Sequence, residues 1–200
     1  MRTEKVKIFT FDELSKAAQK KAIEKHRDFL AQEYSGESEL EFWKEELAKR
    51  GLEVADIHYR GFYSQGDGAS FDAKVIPEKF CKYYKIKKFK KLFDYIDKTG
   101  AYFNIGISGH DPHYVHEYTR KAEFEELERI DISIEQHDAF IAQAEELAGL
   151  IEAERLKLSK DIYKNLRDDY EGELKDENVI DNIKINEYEF YADGGLYYSR

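Results

Sequence analysis

Val6, Ile8 and Thr10 alternate with Lys5, Lys7 and Phe9 and predict a short first strand. Thr10-Phe11-Asp12-Glu13 has capping-box spacing. It predicts a helix from there to about Gln32, with Leu14, Ala18, Ala22 and either His26 or Leu30 on one stripe. Ser38-Glu39-Leu40-Glu41 repeats the box and opens a second helix through Trp43 and Leu47 that stops at Gly51. Leu52 to Tyr63 is rich in β-formers, and Phe71, Ala73 and Val75 alternate with Asp72 and Lys74. With the polar run 64–69 between them, these segments predict a β-hairpin that turns one face to a core.

Pro77 suits the first turn of a helix. The apolar phase slips near Tyr84, so two helical pieces are predicted, 78–84 and 86–98, the second ending at Gly100. Tyr102–Ser108 and Tyr114–Phe124 predict a second hairpin around Gly109-His110-Asp111-Pro112-His113. From about residue 134 to 172 the pattern is helical, with Phe140, Ala144, Leu147, Ile151, Leu158, Ile162 and Leu166 on one stripe. Its stretch from His137 to about Tyr170, about 34 residues, spans roughly 50 Å, longer than one domain is wide, so part of it is free to protrude or to pair with another helix. A short helix near Asp176–Ile183 and a hairpin through Asp193-Gly194-Gly195 complete the chain. The predicted class is α+β: an antiparallel sheet built from hairpins, packed with several helices, in one domain over residues 1–200.

A hydrophobic content of 42%, with 13 Phe and 15 Tyr, is enough for a core and excludes global disorder. The single cysteine, Cys81, allows no internal disulfide and fits a reducing compartment. Met1–Lys5 leads into a strand and not into an apolar signal core, and no apolar run reaches membrane-span length. These features give a cytoplasmic expectation with no membrane contact. The net charge of −10 argues against direct nucleic-acid binding and favours basic partners. The one basic cluster, Lys82 to Lys91, reads as the solvated face of an amphipathic helix, with Phe89 and Phe93 turned inward.

Two loops carry the candidate chemistry. In the first, glycines flank Asp67 and open the backbone to a ligand; Ser64, Gln65, Asp67 and Ser70 are its candidate binding residues. Calcium-loop and P-loop spacings are absent. In the second, His110, His113, His116 and Asp111 lie within seven residues, a zinc-friendly set without the helical spacing that aligns imidazoles. No metal and no cofactor is therefore assigned. If the two hairpins lie side by side, both loops emerge at one sheet edge, and His110 and His113 join the first loop's residues in one polar site. No Ser-His-Asp order or Cys-His pair stands out, so no catalytic residue is assigned.

Thr10–Ser15 with its Ala/Lys helix, the run Gly61–Phe71, the tract Ile162–Glu171 and Asn186–Phe190 resemble blocks of small proteins encoded by bacteriophages and prophages. The resemblance implies an accessory protein in the host bacterial cytoplasm that binds and inhibits a host protein, defence-related in this reading, without catalysis. A basic, nucleic-acid-binding host protein would complement the acidic surface. Two alternatives stay open. One is a small-ligand- or metal-dependent protein, enzyme included, working through loops 64–70 and 109–116; the other is an antitoxin-like partner.

Overall fold

The computed structural model describes residues 5–100, 103–109, 111, 113–125 and 134–198. The fold is α+β, with antiparallel sheets and a long helix in the C-terminal half. The chain groups into two compact units, Met1–Gly36 with Arg167–Arg200, and Glu37–Leu166.

In the first unit, strand β1 (Phe9–Thr10) pairs antiparallel with the last strand, β6 (Glu189–Phe190). The capping-box carboxylate does form, since Glu13 accepts the Thr10 N–H at 2.8 Å. It closes only a 3-10 turn over Phe11–Glu13, because Leu14 is extended. Helix α1 (Lys16–Glu33) starts instead from Ser15, whose hydroxyl accepts the Ala18 N–H. Its buried stripe of Ala18, Ala22 and His26 is the predicted one. Helix α6 (Asp176–Ile185) packs Val179 and Ile183 into the same core as Phe11, Leu14 and Phe190. The predicted final hairpin is reduced to a bridge between Phe190 and Leu196.

The second unit holds a four-stranded antiparallel sheet in the order β2-β3-β4-β5. Helix α2 (Glu37–Lys49) buries Trp43 and Leu47 and begins one residue before the predicted Ser38 cap. Strands β2 (Leu52–Arg60) and β3 (Gly68–Val75) form the first hairpin. Helices α3 (Pro77–Tyr83) and α4 (Lys90–Thr99) are the two predicted pieces. Strands β4 (Asn104–Ser108) and β5 (Lys121–Glu125) form the second hairpin. Its return strand was expected from Tyr114, but Tyr114–Arg120 carry no strand structure.

The period of two sets which sheet face is dry. Phe71, Ala73 and Val75 from β3 and Ile105 and Ile107 from β4 are all buried in the main core. Helix α5 (Ile134–Glu173) adds Phe140, Ala144, Leu147, Ile151, Leu158, Ile162 and Leu166 to that core. The chain's own core thus covers the apolar stripe of α5. Cys81 is buried in the same core, and burial, helped by Glu78, pushes its thiol up to about 11. That marks it as a packing residue and not a nucleophile. Among the described residues, no helix is long and apolar enough to cross a membrane.

Candidate functional site

Strand order brings the two loops together. Ala73 pairs with Ile107 and Lys74 with Gly106, so β4 ends level with Asp72 and its chain continues toward the first residues of β3. Loop 61–67 and loop 109–120 therefore emerge at the same edge.

The first loop is a tight turn organised by Asp67. Its Oδ2 accepts the backbone N–H of Ser64 at 2.6 Å and of Tyr63 at 3.0 Å. The Tyr114 ring lies directly on Gly66, whose φ of +89° also favours glycine. A Cβ on Gly68 would stand 2.7 Å from the His116 Cα. The two glycines are thus needed because the second loop crosses over them. Val115 N–H reaches the Gly66 carbonyl at 3.4 Å, and Arg60 Nη1 donates to the His113 carbonyl at 2.7 Å.

The second loop also organises itself. Asp111 Oδ1 accepts the N–H of His113 at 2.8 Å and of Tyr114 at 3.1 Å. The His113 N–H chiefly, with Tyr114 and the neighbouring imidazoles adding, holds the Asp111 carboxyl below the usual carboxylate range. His116 Nδ1 accepts the Tyr118 N–H at 3.1 Å, and the Thr119 hydroxyl lies 2.8 Å from the His116 carbonyl and 3.3 Å from Ser70 Oγ.

Two buried arginines latch this loop to the scaffold. Arg120 Nε donates to Asp72 Oδ1 at 2.7 Å, and His58 Nε2 lies 2.8 Å from the other oxygen of Asp72. The second His58 nitrogen faces Asp56 at 3.6 Å, so both ring nitrogens are turned toward carboxylates. Arg155, on α5, is only 1% exposed. It donates from Nε and Nη2 to the two oxygens of Glu152, both at 2.7 Å, and from Nη1 to the Glu117 carbonyl at 2.6 Å. Glu152 also accepts the Ala122 N–H at 2.8 Å. One charge-assisted cluster therefore ties α5 to the loop's last turn and to the first residues of β5.

Of the predicted site residues, Ser64 and Gln65 are exposed at the loop tip, and His113 is exposed with its carbonyl held by Arg60. The Asp67 carboxylate is used by its own turn. Ser70 is fully buried under the second loop and presents no surface, because it sits on the sheet face that loop covers. His110 lies outside the described residues. Among the described residues, no group of three or more His, Cys, Asp or Glu side chains is placed to hold a metal.

The sequence reading missed the tyrosines. Tyr63 is 74% exposed, Tyr118 66% and Tyr114 47%. Tyr114, His116 and Tyr118 form a row with ring centroids 6.1 and 5.8 Å apart, and His113 extends it at 6.5 Å from Tyr114. The signal was present in the segment Tyr114–Tyr118: its alternation resembles a strand, yet it puts an aromatic or imidazole at every second residue, with no aliphatic core partner. The arrangement offers broad apolar rings with hydroxyl and imidazole edges on a pinned backbone.

The model of a family described as a domain of unknown function, DUF8835, matches residues 36–176. That span contains the whole of the second unit, and with it both loops. No curated protein and no solved structure matches the chain.

Proposed function

We propose that this chain, which belongs to the DUF8835 family of domains of unknown function, is a non-catalytic recognition protein that binds a protein partner through the paired-loop edge of its four-stranded sheet. The observation that carries the reading is the set of exposed tyrosines and imidazoles on two loops, the first closed by Asp67 and the second pinned from below by Arg120 and Arg155. Tyrosine combines large contact area with few rotatable bonds and a hydrogen-bonding tip, so it is enriched where proteins meet. Pinning removes much of the ordering cost that a mobile loop would carry on binding.

The chemistry beneath the edge supports the non-catalytic reading. His58 has a carboxylate at each nitrogen, and Asp67 and Asp111 are occupied by their own turns. These groups build the loops and leave the exposed rings as the contact surface.

The sequence blocks that resemble phage and prophage accessory proteins extend the proposal to the kind of partner. With a net charge of −10, the chain suits a basic surface such as that of a nucleic-acid-binding host defence protein, which it would inhibit by occupying that surface in the bacterial cytoplasm. The test is capture from bacterial lysate on the immobilised full chain, with mass analysis of proteins and of copurified small molecules. One protein held in stoichiometric amount and released by salt is expected. A bound nucleotide or metal with no protein would overturn the proposal.

A further inference from the structure

A second concave surface lies wholly within the first unit, outside the family-matched span. It is a cleft of about 480 Å³ between α1 and the C-terminal segment, walled by Phe29, Tyr188, Tyr191 and Tyr198 and floored by Ala22 and His26. That volume falls among ligand-sized pockets, commonly about 300–1,000 Å³. Phe29, Tyr191 and Tyr198 leave much of their ring surface to water around this one concavity.

The cleft is built before any ligand arrives. The Tyr191 N–H donates to the Gly195 carbonyl at 2.8 Å, the Gly194 N–H returns to the Tyr191 carbonyl at 2.9 Å, and Asp193 Oδ1 accepts the Gly195 N–H at 2.9 Å. Gly194, at φ +82°, sits on the Ala18 carbonyl, where any side chain would collide. On the floor, His26 is buried, its Nε2 2.8 Å from Asn182 Oδ1 and its ring 5.0 Å from that of Tyr188. The Asn186 amide also reaches that Asn182 oxygen at 3.3 Å, which marks the atom as an acceptor and His26 Nε2 as the donor.

The charges at the rim are unequally paired. Asp193 is held by Lys21 Nζ at 2.6 Å, which, with the Gly195 N–H, keeps its carboxyl below the usual range. Lys25 also lines the cleft, and its charge acts on Asp193 as well. The lining itself carries one cation, Lys25, and one anion, Asp193, whose charge is already met by Lys21. With Asp193 paired, Lys25 is the lining charge left to meet an anionic ligand beside the aromatic walls.

We infer that this cleft is a small-molecule site for a planar aromatic ring that carries one anionic group, the ring between the aromatic walls and the anion at Lys25. It is independent of the loop edge proposed above, since the two lie in different units. The test uses three probes with one ring and three charges: indole-3-acetate, 3-methylindole and tryptamine, each titrated into the isotopically labelled full chain and followed by NMR. The expected order of affinity is indole-3-acetate, then 3-methylindole, then tryptamine, with shifts centred on Phe29, Tyr188 and Gly194–Leu196. Lys25→Ala, an exposed change, should bring indole-3-acetate down to the level of 3-methylindole, a loss of about fivefold. Tyr198→Ala should weaken all three alike. No shifts at the cleft, tryptamine binding as well as indole-3-acetate, or an unchanged order in Lys25→Ala would overturn the inference.

Discussion

Replacing Arg155 with Met removes the donors that hold the loop edge to α5 while keeping most of the apolar bulk. Three hydrogen bonds of 2.6–2.7 Å are lost at a side chain that is 1% exposed. The Glu117 carbonyl loses this donor, and the Glu152 carboxylate keeps only the Ala122 N–H. Breaking a buried ion pair from one side costs about 3–5 kcal/mol. The Glu152 side chain is 29% exposed and recovers some hydration, so the lower end, about 3 kcal/mol, is expected. For a chain of this size that is a fall in Tm of about 6–12 °C. Adding Glu152→Gln removes the stranded charge, and the double variant should regain about 1–2 kcal/mol over Arg155→Met alone.

The network also has a pH signature. Burial raises the Glu152 carboxyl, but the hydrogen bonds from Arg155 and Ala122 and the charges of Arg155 and Lys121 outweigh it, leaving the group below its ordinary value of 4.5. A carboxylate whose folded pKa is depressed contributes stability that is fully present above its unfolded pKa. That contribution is lost as pH falls through the folded value. Wild type should therefore lose stability as pH drops below about 4.5, and Arg155→Met should lose less over the same range. The assay is urea denaturation from pH 7 to pH 3. If Arg155→Met stays within about 0.5 kcal/mol of wild type at pH 7, the level of an ordinary surface change, the cluster does not hold the loop in place.

Three further outcomes follow from the same geometry. Gly68→Ala should destabilise the second unit by about 2 kcal/mol or more in chemical denaturation, because the new methyl meets the His116 backbone at 2.7 Å and must displace the loop. Asp67→Ala should cost about 1 kcal/mol, since two turn N–H groups lose their acceptor, and a change under about 0.3 kcal/mol would show that the turn closes without it. Leu158→Asp puts a charge into the main core and should leave the chain unfolded at 25 °C by circular dichroism, whereas a native-like melt would contradict the burial of the α5 stripe.

Much of this architecture is legible in the sequence, for identifiable reasons. The α5 stripe, the β2–β3 hairpin and the break between α3 and α4 each follow from one strong periodicity or one strong breaker. Meeting of the two loops follows from hairpin topology. Misreadings arise where local signals compete. Thr10 and Glu13 do form their cap contact, but an extended Leu14 and a second cap at Ser15 win the helix start. Tyr114–Tyr118 alternates like a strand, yet the loop must cross Gly66 and Gly68 first, so β5 begins only at Lys121. Ser70 reads as a loop residue because its burial comes from a segment some fifty positions away, a long-range fact that no local pattern holds. Arg155 could have been noticed: it occupies the stripe position between Ile151 and Leu158, an inward place for a charge, with Glu152 three residues before it. The cleft of the first unit joins α1 to a segment more than 150 residues later and has no local sequence signature.

The claim that the tyrosine-lined loop edge is the contact surface meets its most direct test in a comparison of captured partner across three immobilised chains. These are wild type, Tyr63→Ala/Tyr118→Ala, and a control changed in the basic segment that leads into α4, Lys87→Ala/Lys90→Ala/Lys91→Ala. The two exposed tyrosines can be removed with little effect on folding, while hot-spot aromatics at an interface are worth about 2 kcal/mol or more each. Quantitative mass spectrometry should find the same partner on wild type and on the control, and less than about a tenth of it on the tyrosine variant. Equal capture by the tyrosine variant, or loss only in the lysine control, would contradict the account.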